Sequence, residues 1–191
     1  MAYAKSDFVA GDEIIFDDDQ SGEKMGEFPS MWDLLGGNAE IVPFGEQKAI
    51  NISDRGTVMP LMKTPKNYLT DMFTIEFDYC KRDRAHTKGM NRLYIYLKDV
   101  AGKDVFVIDF FTHAQDGRPY SWVTTGGETL NGNYTKTTSE EAWHHVSISF
   151  NKRAFKLYLD GERIVNIPNM AQPDWVTFRA YENSQEMFFY S

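Results

Sequence analysis

The sequence contains a single cysteine and no apolar run near the length of a membrane helix. Cys80 has no second cysteine to pair with, which excludes an internal disulfide and a zinc site built from cysteine thiolates. A membrane helix needs roughly 18 consecutive apolar residues, and the opening MAYAKSDF lacks the apolar segment of a signal peptide. The sequence therefore predicts a domain that is not cross-linked by disulfides and does not insert into a membrane.

Positive charge is also scarce. Lys and Arg number 20 against 28 Asp and Glu, which gives a net charge of −8. An acidic chain has no general attraction for phosphate backbones or anionic lipids. The sequence also has no glycine-rich nucleotide motif, no nucleophile elbow and no basic patch. We therefore expect no nucleic-acid partner.

Helical periodicity extends over one or two turns at most, and apolar residues instead alternate with polar ones. A period of two is typical of strands, because successive side chains leave opposite faces. The clearest stretch is 143–168, which predicts two strands, a tight Asp160-Gly161 turn and a third strand. A helical turn or bend is predicted at 28–35, a turn at 36–38 and a loop at 126–133. The other predicted strands are 12–16, 39–43, 48–52, 57–62, 73–80, 92–98, 105–111, 120–124, 175–181 and 187–190.

Two sequence patterns resemble those of a known superfamily. The segments WHHV (143–146) and LYLDG (157–161) resemble the signature of concanavalin A-like and laminin G-like jelly rolls. The segment FDDD (16–19), followed by Trp32, resembles the opening of bacterial members, although Gln20 stands where that pattern usually has Phe. More specifically, residues 8–41 are similar to the N-terminal β-sandwich module of bacterial OmpA-family envelope proteins.

This resemblance implies an all-β, two-sheet antiparallel jelly-roll sandwich of the concanavalin A-like lectin and glucanase type. We expect residues 1–191 to form a single β-sandwich domain. The sequence stops at Ser191, near where a last strand that pairs with the first is expected. We therefore expect a fragment or a boundary trimmed before a final C-terminal strand. The resemblance also implies a periplasmic or cell-surface location and a partner that is a glycan or another envelope protein.

The jelly-roll glucanases of this superfamily carry a catalytic strand with the pattern E-x-D-x-(x)-E. Here Glu76 and Asp78 match the first two acids, but Cys80 or Lys81 stands at the third. Retaining hydrolysis needs two working carboxyls about 5–5.5 Å apart. Because the third acid, which serves as acid/base in that family, is missing, Glu76 and Asp78 are weak catalytic candidates. Asp109, an acid within an apolar strand, fits either a functional carboxylate or a hydrogen-bonded core residue. We favour the core position for Asp109 and a non-catalytic domain.

An acidic loop follows the first predicted strand. Asp17, Asp19 and Ser21 alternate before Gly22, which resembles the start of a calcium loop, but position twelve is Phe28 rather than the bidentate Glu of an EF-hand. Members of the superfamily often hold a structural calcium near their first strand. We favour a plain solvated acidic loop, and the alternative is a structural calcium ion bound by these three residues.

Aromatic and polar residues on two further strands suggest carbohydrate recognition. Sugars are bound by flat aromatic rings for stacking and by polar groups that fix the hydroxyls. We expect a glycan-binding module, with a structural or adhesion module that contacts protein as the alternative and a divergent glycoside hydrolase as a third reading. The predicted ligand-binding residues are Arg92, Tyr94, Tyr96, His113, Asp116, Tyr120 and Trp122.

Overall fold

Twelve strands make up the computed structural model, which describes residues 6–82, 91–112, 119–125, 128–132, 142–181 and 186–190. Those ranges contain no helix, and so none that could cross a membrane. The strands are β1 (Trp32–Phe44), β2 (Gln47–Pro60), β3 (Met72–Arg82), β4 (Asn91–Lys98), β5 (Asp104–Thr112), β6 (Pro119–Thr125), β7 (Glu128–Gly132), β8 (His144–Asn151), β9 (Ala154–Leu159), β10 (Glu162–Ile167), β11 (Trp175–Tyr181) and β12 (Glu186–Tyr190).

These strands form two antiparallel sheets that pack face to face. The first sheet has the order β10-β9-β8-β3-β12-β2-β1, and the second has the order β1-β2-β11-β4-β5-β6-β7. The predicted all-β, two-sheet antiparallel sandwich is therefore confirmed. Strands β4 to β7 follow one another in space as they do in sequence, so successive hairpins build the part of the second sheet that carries the candidate site.

The β1–β2 hairpin belongs to both sheets. Along one side β2 pairs with β1, while along its other side it pairs first with β12 and then with β11. The change of neighbour coincides with Gly56, where an added Cβ would lie 2.3 Å from the backbone oxygen of Asn38. Only a residue without a side chain permits this close approach, so Gly56 marks the place where the hairpin bends from one sheet to the other.

The core lies between the sheets and is largely aromatic. Phe77 of β3 meets Phe178 of β11 edge to face with ring centroids 5.2 Å apart, and Tyr79 stacks on Phe110 at 5.4 Å. Because side chains alternate along a strand, burying one set turns the other set outward. The inward face of β4, for example, comprises Leu93, Ile95 and Leu97, all fully buried.

The 143–168 stretch folds as its pattern predicts. It forms β8, β9 and β10 in antiparallel order, with Leu159 opposite Glu162. The two residues between them, Asp160 and Gly161, have φ values of 50° and 77°. Two successive positive φ angles are the geometry that a tight two-residue hairpin turn requires, and Asp-Gly tolerates it.

Five predicted local structures differ from the structure. Residues 12–16 form no strand, because Ile14 and Ile15 are exposed at 76% and 54% instead of entering the core. Residues 36–38 are not a turn but lie within β1, which takes up the glycines as a shift in register. The segments 48–52 and 57–62 belong to one strand, β2, and part of the predicted 126–133 loop is β7. Strand β1 begins at Trp32, inside the stretch where a helical turn or bend was predicted.

Candidate functional site

The outward face of the second sheet brings predicted site residues from separate strands into one row. Tyr94 on β4 is paired with Arg179 on β11 and with Asp109 on β5. Asp109 is in turn paired with Trp122 on β6. Directly paired residues in antiparallel strands share a face and lie about 4.5–5.5 Å apart at Cβ. The strand order therefore places a polar and aromatic row across the middle of this sheet.

Two tyrosines stack on each other beside that row. The rings of Tyr94 and Tyr96 have centroids 5.6 Å apart and an interplanar angle of 24°. Their spacing of two residues puts both on the outward face, because Leu93, Ile95 and Leu97 between and beside them point into the core. Burial raises the pKa of the Tyr96 hydroxyl, so this hydroxyl stays neutral at ordinary pH.

Arg92 is fixed at the end of the tyrosine pair. Its Nη1 donates to the Tyr94 hydroxyl at 2.7 Å and lies 3.3 Å from the Asp109 carboxylate. Partial burial opposes the charge of Arg92, but the Tyr94 hydrogen bond and the Asp109 charge outweigh it and raise the pKa of the guanidinium. These contacts hold the Tyr94 ring in place, and a binding surface benefits from such preorganisation.

Further cations alternate with aromatic rings on the same face. The charge of Arg179 acts on the Tyr96 hydroxyl, the guanidinium of Arg55 lies 4.9 Å from the centre of the Tyr181 ring, and Lys98 lies 5.1 Å from that of Tyr96. Such cation–π contacts contribute about 0.5–1 kcal/mol each at exposed sites. We call this surface the tyrosine–arginine face; it comprises Arg55, Arg92, Tyr94, Tyr96, Lys98, Asp109, Arg179 and Tyr181.

Asp109 is buried, at 8% exposure, but it does not belong to the inter-sheet core. Its neighbours Ile108 and Phe110 occupy the core, which turns Asp109 to the outward face, where it pairs with Arg92. The expectation of a core Asp is therefore wrong in position, although the residue is bonded as expected. Two residues to either side on β5 stand Val107 and Phe111, so the strand offers no second carboxylate next to Asp109.

The remaining predicted ligand-binding residues are only partly placed. The backbones of Tyr120 and Trp122 lie on β6, paired with Phe111 and Asp109. His113 and Asp116 lie outside the described residues. The sequence prediction missed the contribution of β11, where Val176, Phe178 and Ala180 are buried in the core while Arg179 and Tyr181 are only partly buried.

The weak catalytic candidates Glu76 and Asp78 lie on the outward face of the first sheet. Both bind one imidazole: His145 Nδ1 is 2.7 Å from Asp78 Oδ1, and His145 Nε2 is 3.2 Å from Glu76 Oε2. Burial lowers the pKa of His145, but the two carboxylates outweigh it and raise the pKa. A protonated imidazole donates to both acids at once, so this arrangement engages the carboxylates with a shared cation.

An N-terminal segment covers the neighbouring part of that face. The Asp7 carboxylate accepts hydrogen bonds from Lys156 at 2.7 Å, Tyr158 at 2.8 Å and Arg163 at 2.7 Å. Phe8 packs edge to face on the Tyr158 ring at 5.4 Å. The bonds from Lys156 and Tyr158 lower the pKa of Asp7 to about 2.

The predicted calcium ligands lie in a loop that already holds a cation. Asp17 is exposed and lines a groove, while Asp19 accepts the Ser21 amide at 2.9 Å. Hydrogen bonds from Ser21 also lower the pKa of Asp19. The ammonium of Lys48 lies 2.9 Å from the Ser21 carbonyl oxygen. A calcium ion at this carbonyl would have to displace Lys48. Within the described ranges no three acidic, His or Cys side chains are grouped as metal ligands, and the calcium site stays a prediction.

An apolar groove of about 660 Å³ opens at one end of the sandwich. It lies between residues 13–17 and residues 61–68. Four large apolar side chains around it are exposed to between 41% and 76%. They are Ile14, Ile15, Met31 and Leu61.

No family model matches the chain, and no curated protein matches it in sequence. Solved structures do match it in fold. One of the endo-acting O-glycanases with which human gut bacteria initiate mucin breakdown has a TM-score of 0.65 at 11% identity, over 93% of this chain and 96% of that chain. A glycoside hydrolase family 16 endo-glucanase from Bacteroides ovatus has a TM-score of 0.60 at 11% identity, over 92% and 98%. The carbohydrate binding module CBM66 from Bacillus subtilis has a TM-score of 0.52 at 15% identity, over 84% and 96%.

Likeness at identities this low establishes the fold and no more, since one fold supports many functions. The predicted jelly-roll sandwich of the concanavalin A-like type is confirmed by these neighbours. The similarity to OmpA-family envelope modules stays a prediction.

Proposed function

We propose that this domain is a non-catalytic carbohydrate-binding module whose ligand lies on the tyrosine–arginine face. The observation that carries the proposal is the stacked pair Tyr94 and Tyr96, flanked by the guanidiniums of Arg92 and Arg179. Flat rings match the apolar face of a pyranose, and fixed donors match its hydroxyls. Three neighbours of this fold are named for binding or cleaving carbohydrate, which supports a glycan as the ligand.

Two features support binding without catalysis. On the tyrosine–arginine face, the strand that carries Asp109 has the apolar residues Val107 and Phe111 at the same-face positions to either side. On the other sheet, Glu76 and Asp78 bind a single imidazole between them. A glycosidase of the two-carboxylate type needs one free acid and one free base or nucleophile.

Binding to a glycan array tests the proposal. We expect the wild-type protein to bind at least one glycan class, and Tyr94→Ala, Tyr96→Ala and Trp122→Ala each to weaken that binding about tenfold, which corresponds to about 1.4 kcal/mol. Thr74→Ala, on the outward face of the first sheet, is the matched control and should bind as the wild type does. A folded wild-type protein that binds no glycan would rule the proposal out.

A second candidate function is a structural or adhesion module that contacts another envelope protein. The exposed apolar side chains around the groove, Ile14, Ile15, Met31 and Leu61, favour it, because apolar patches of this kind often mark interaction sites. Replacement of Ile14 and Leu61 by Ser would abolish such a contact and leave glycan binding intact. The OmpA-type resemblance supports a periplasmic or cell-surface location for either function.

A further inference from the structure

We propose that the ligand of the tyrosine–arginine face is a carboxylated saccharide and that Arg179 binds its carboxylate. This inference rests on the proposed function, since it names the ligand class of the same face.

Positive charge is concentrated on this face although the chain as a whole is acidic. Its side chains include four cations, Arg55, Arg92, Lys98 and Arg179, and Asp109 pairs with Arg92. Asp104 at the start of β5 pairs with Lys98. Among the described residues of this face, four cations less two acids leave a net charge of +2. The whole chain has a net charge of −8. A local field of sign opposite to that of the rest of the protein attracts anionic ligands and repels further acidic protein surface.

Arg179 is the cation best placed to use that charge. Its side chain is half-buried, and its charge acts on the neighbouring Tyr96 hydroxyl. The Nε–H group is buried and has no acceptor in that part of the chain. A guanidinium has five donors in a planar fork that matches the two oxygens of a carboxylate.

The position of Arg179 ties the charge to the sugar platform. Arg179 is paired directly with Tyr94 across β11 and β4, and Tyr96 lies two residues further along β4. A sugar ring stacked on the two tyrosines would have its edge beside the guanidinium. A carboxylate attached to the ring lies at that edge, and its plane suits the fork. A sulfate can also place two of its oxygens on such a fork, so the comparison with dextran sulfate decides between the two kinds of anion.

The test uses oligogalacturonate and oligoalginate, each beside its carboxyl-reduced form, with dextran sulfate as a third polyanion. Isothermal titration calorimetry should show that a carboxylated oligomer binds at least tenfold more tightly than its reduced form at 50 mM salt, with the preference falling at 500 mM as screening increases. Arg179→Gln should remove the preference, so that the carboxylated and the reduced form bind within twofold of each other. Arg179→Lys should restore it only in part, because the charge remains and the fork is lost.

Arg153→Gln, which removes the same charge from the exposed turn between β8 and β9, is the matched control and should keep the preference. Arg55→Gln, at an exposed position of the same face, is the second variant in case the Arg179 variants do not fold. It should weaken carboxylate binding about threefold. Equal binding of both forms, or tighter binding of dextran sulfate, would overturn the uronate assignment while leaving the proposed function intact. Failure to bind any glycan, neutral or charged, would overturn both.

Discussion

Trp32 donates its indole N–H to the buried Asp18 carboxylate at 2.7 Å, and this bond fixes the segment before β1 against the core. Asp18 also accepts the backbone amide of Gln20, which has a positive φ of 54°. The middle acid of the DDD run is therefore structural, whereas the acids on either side face solvent.

Asp18→Ala removes the acceptor of a buried indole. We expect the free energy of unfolding to fall by about 2 kcal/mol, because a buried donor loses its partner. For a chain of this size that corresponds to a fall in Tm of about 4–8 °C. Urea denaturation measures the change, and Asp17→Ala, at an exposed position of the same run, serves as its control. Equal stability of the two variants would contradict a structural role for Asp18.

Gly56→Ala should be among the most damaging small substitutions. Its Cβ would lie 2.3 Å from the Asn38 carbonyl oxygen and 2.8 Å from that of Ser53. Backbone atoms cannot move as a flexible side chain does, so we expect a loss of about 2 kcal/mol or more. Gly36→Ala in β1 has open space around its Cβ and is the matched control. Thermal unfolding of both variants would show whether the bend requires glycine.

The His145 cluster predicts a pH dependence of stability. Its pKa is raised in the folded protein by Asp78 and Glu76, above the ordinary value of 6.5. The stabilisation is therefore fully present below about pH 6.5 and is lost as the pH rises through the folded-state pKa. We expect the difference in unfolding free energy between wild type and His145→Gln to be largest at pH 6 and smaller at pH 9. An NMR titration of the His145 ring checks the direction of the shift, and a folded-state pKa below 6.5 would contradict it.

The N-terminal segment should detach in strong acid. The pKa of Asp7 is lowered from 3.8 to about 2, so its contribution is present above pH 3.8 and is lost as the pH falls through about 2. We expect Asp7→Asn to detach the segment at neutral pH as well. Hydrogen exchange at the Gly11 amide, which donates to Thr74 at 3.1 Å, reports the attachment. The control is Asp12→Asn, which removes an exposed carboxylate from the same segment and should leave this exchange unchanged.

The calcium prediction is tested through Lys48. If Asp17, Asp19 and Ser21 bind calcium, the ion competes with the Lys48 ammonium for the Ser21 carbonyl. Millimolar calcium should therefore raise the Tm of Lys48→Ala by more than that of the wild type, and a chelator should reverse the rise. Adding Asp19→Asn should abolish it. Melting transitions that do not respond to calcium in either protein would remove the prediction.

The sequence alone was enough to predict the alternation of side chains in four strands and one tight turn. The inward and outward faces of β3, β4, β8 and β9 follow from their period of two, and the Asp160-Gly161 turn follows from residue type. The bending of β2 was out of reach, because it depends on contact between Gly56 and a different strand. Register across distant strands is a tertiary property that no local pattern encodes.

The same distinction applies to the candidate site. Arg92, Tyr94 and Tyr96 were identifiable because they share one strand. Arg179 joins them through the pairing of β11 with β4, two strands that are far apart in sequence. His145 meets Glu76 and Asp78 for the same reason, through the pairing of β8 with β3. Neither contact could be read from a single segment.

Strand β2 takes part in both sheets, and this has a consequence for how the domain opens. Separation of the first sheet would break the β12 pairing of β2, and separation of the second would break its β11 pairing. Because one continuous strand makes both pairings, the loss of either pairing disturbs the strand on which the other pairing depends. We expect backbone amides in β8 and β4, on opposite sheets, to exchange with solvent through one shared global opening instead of two independent ones.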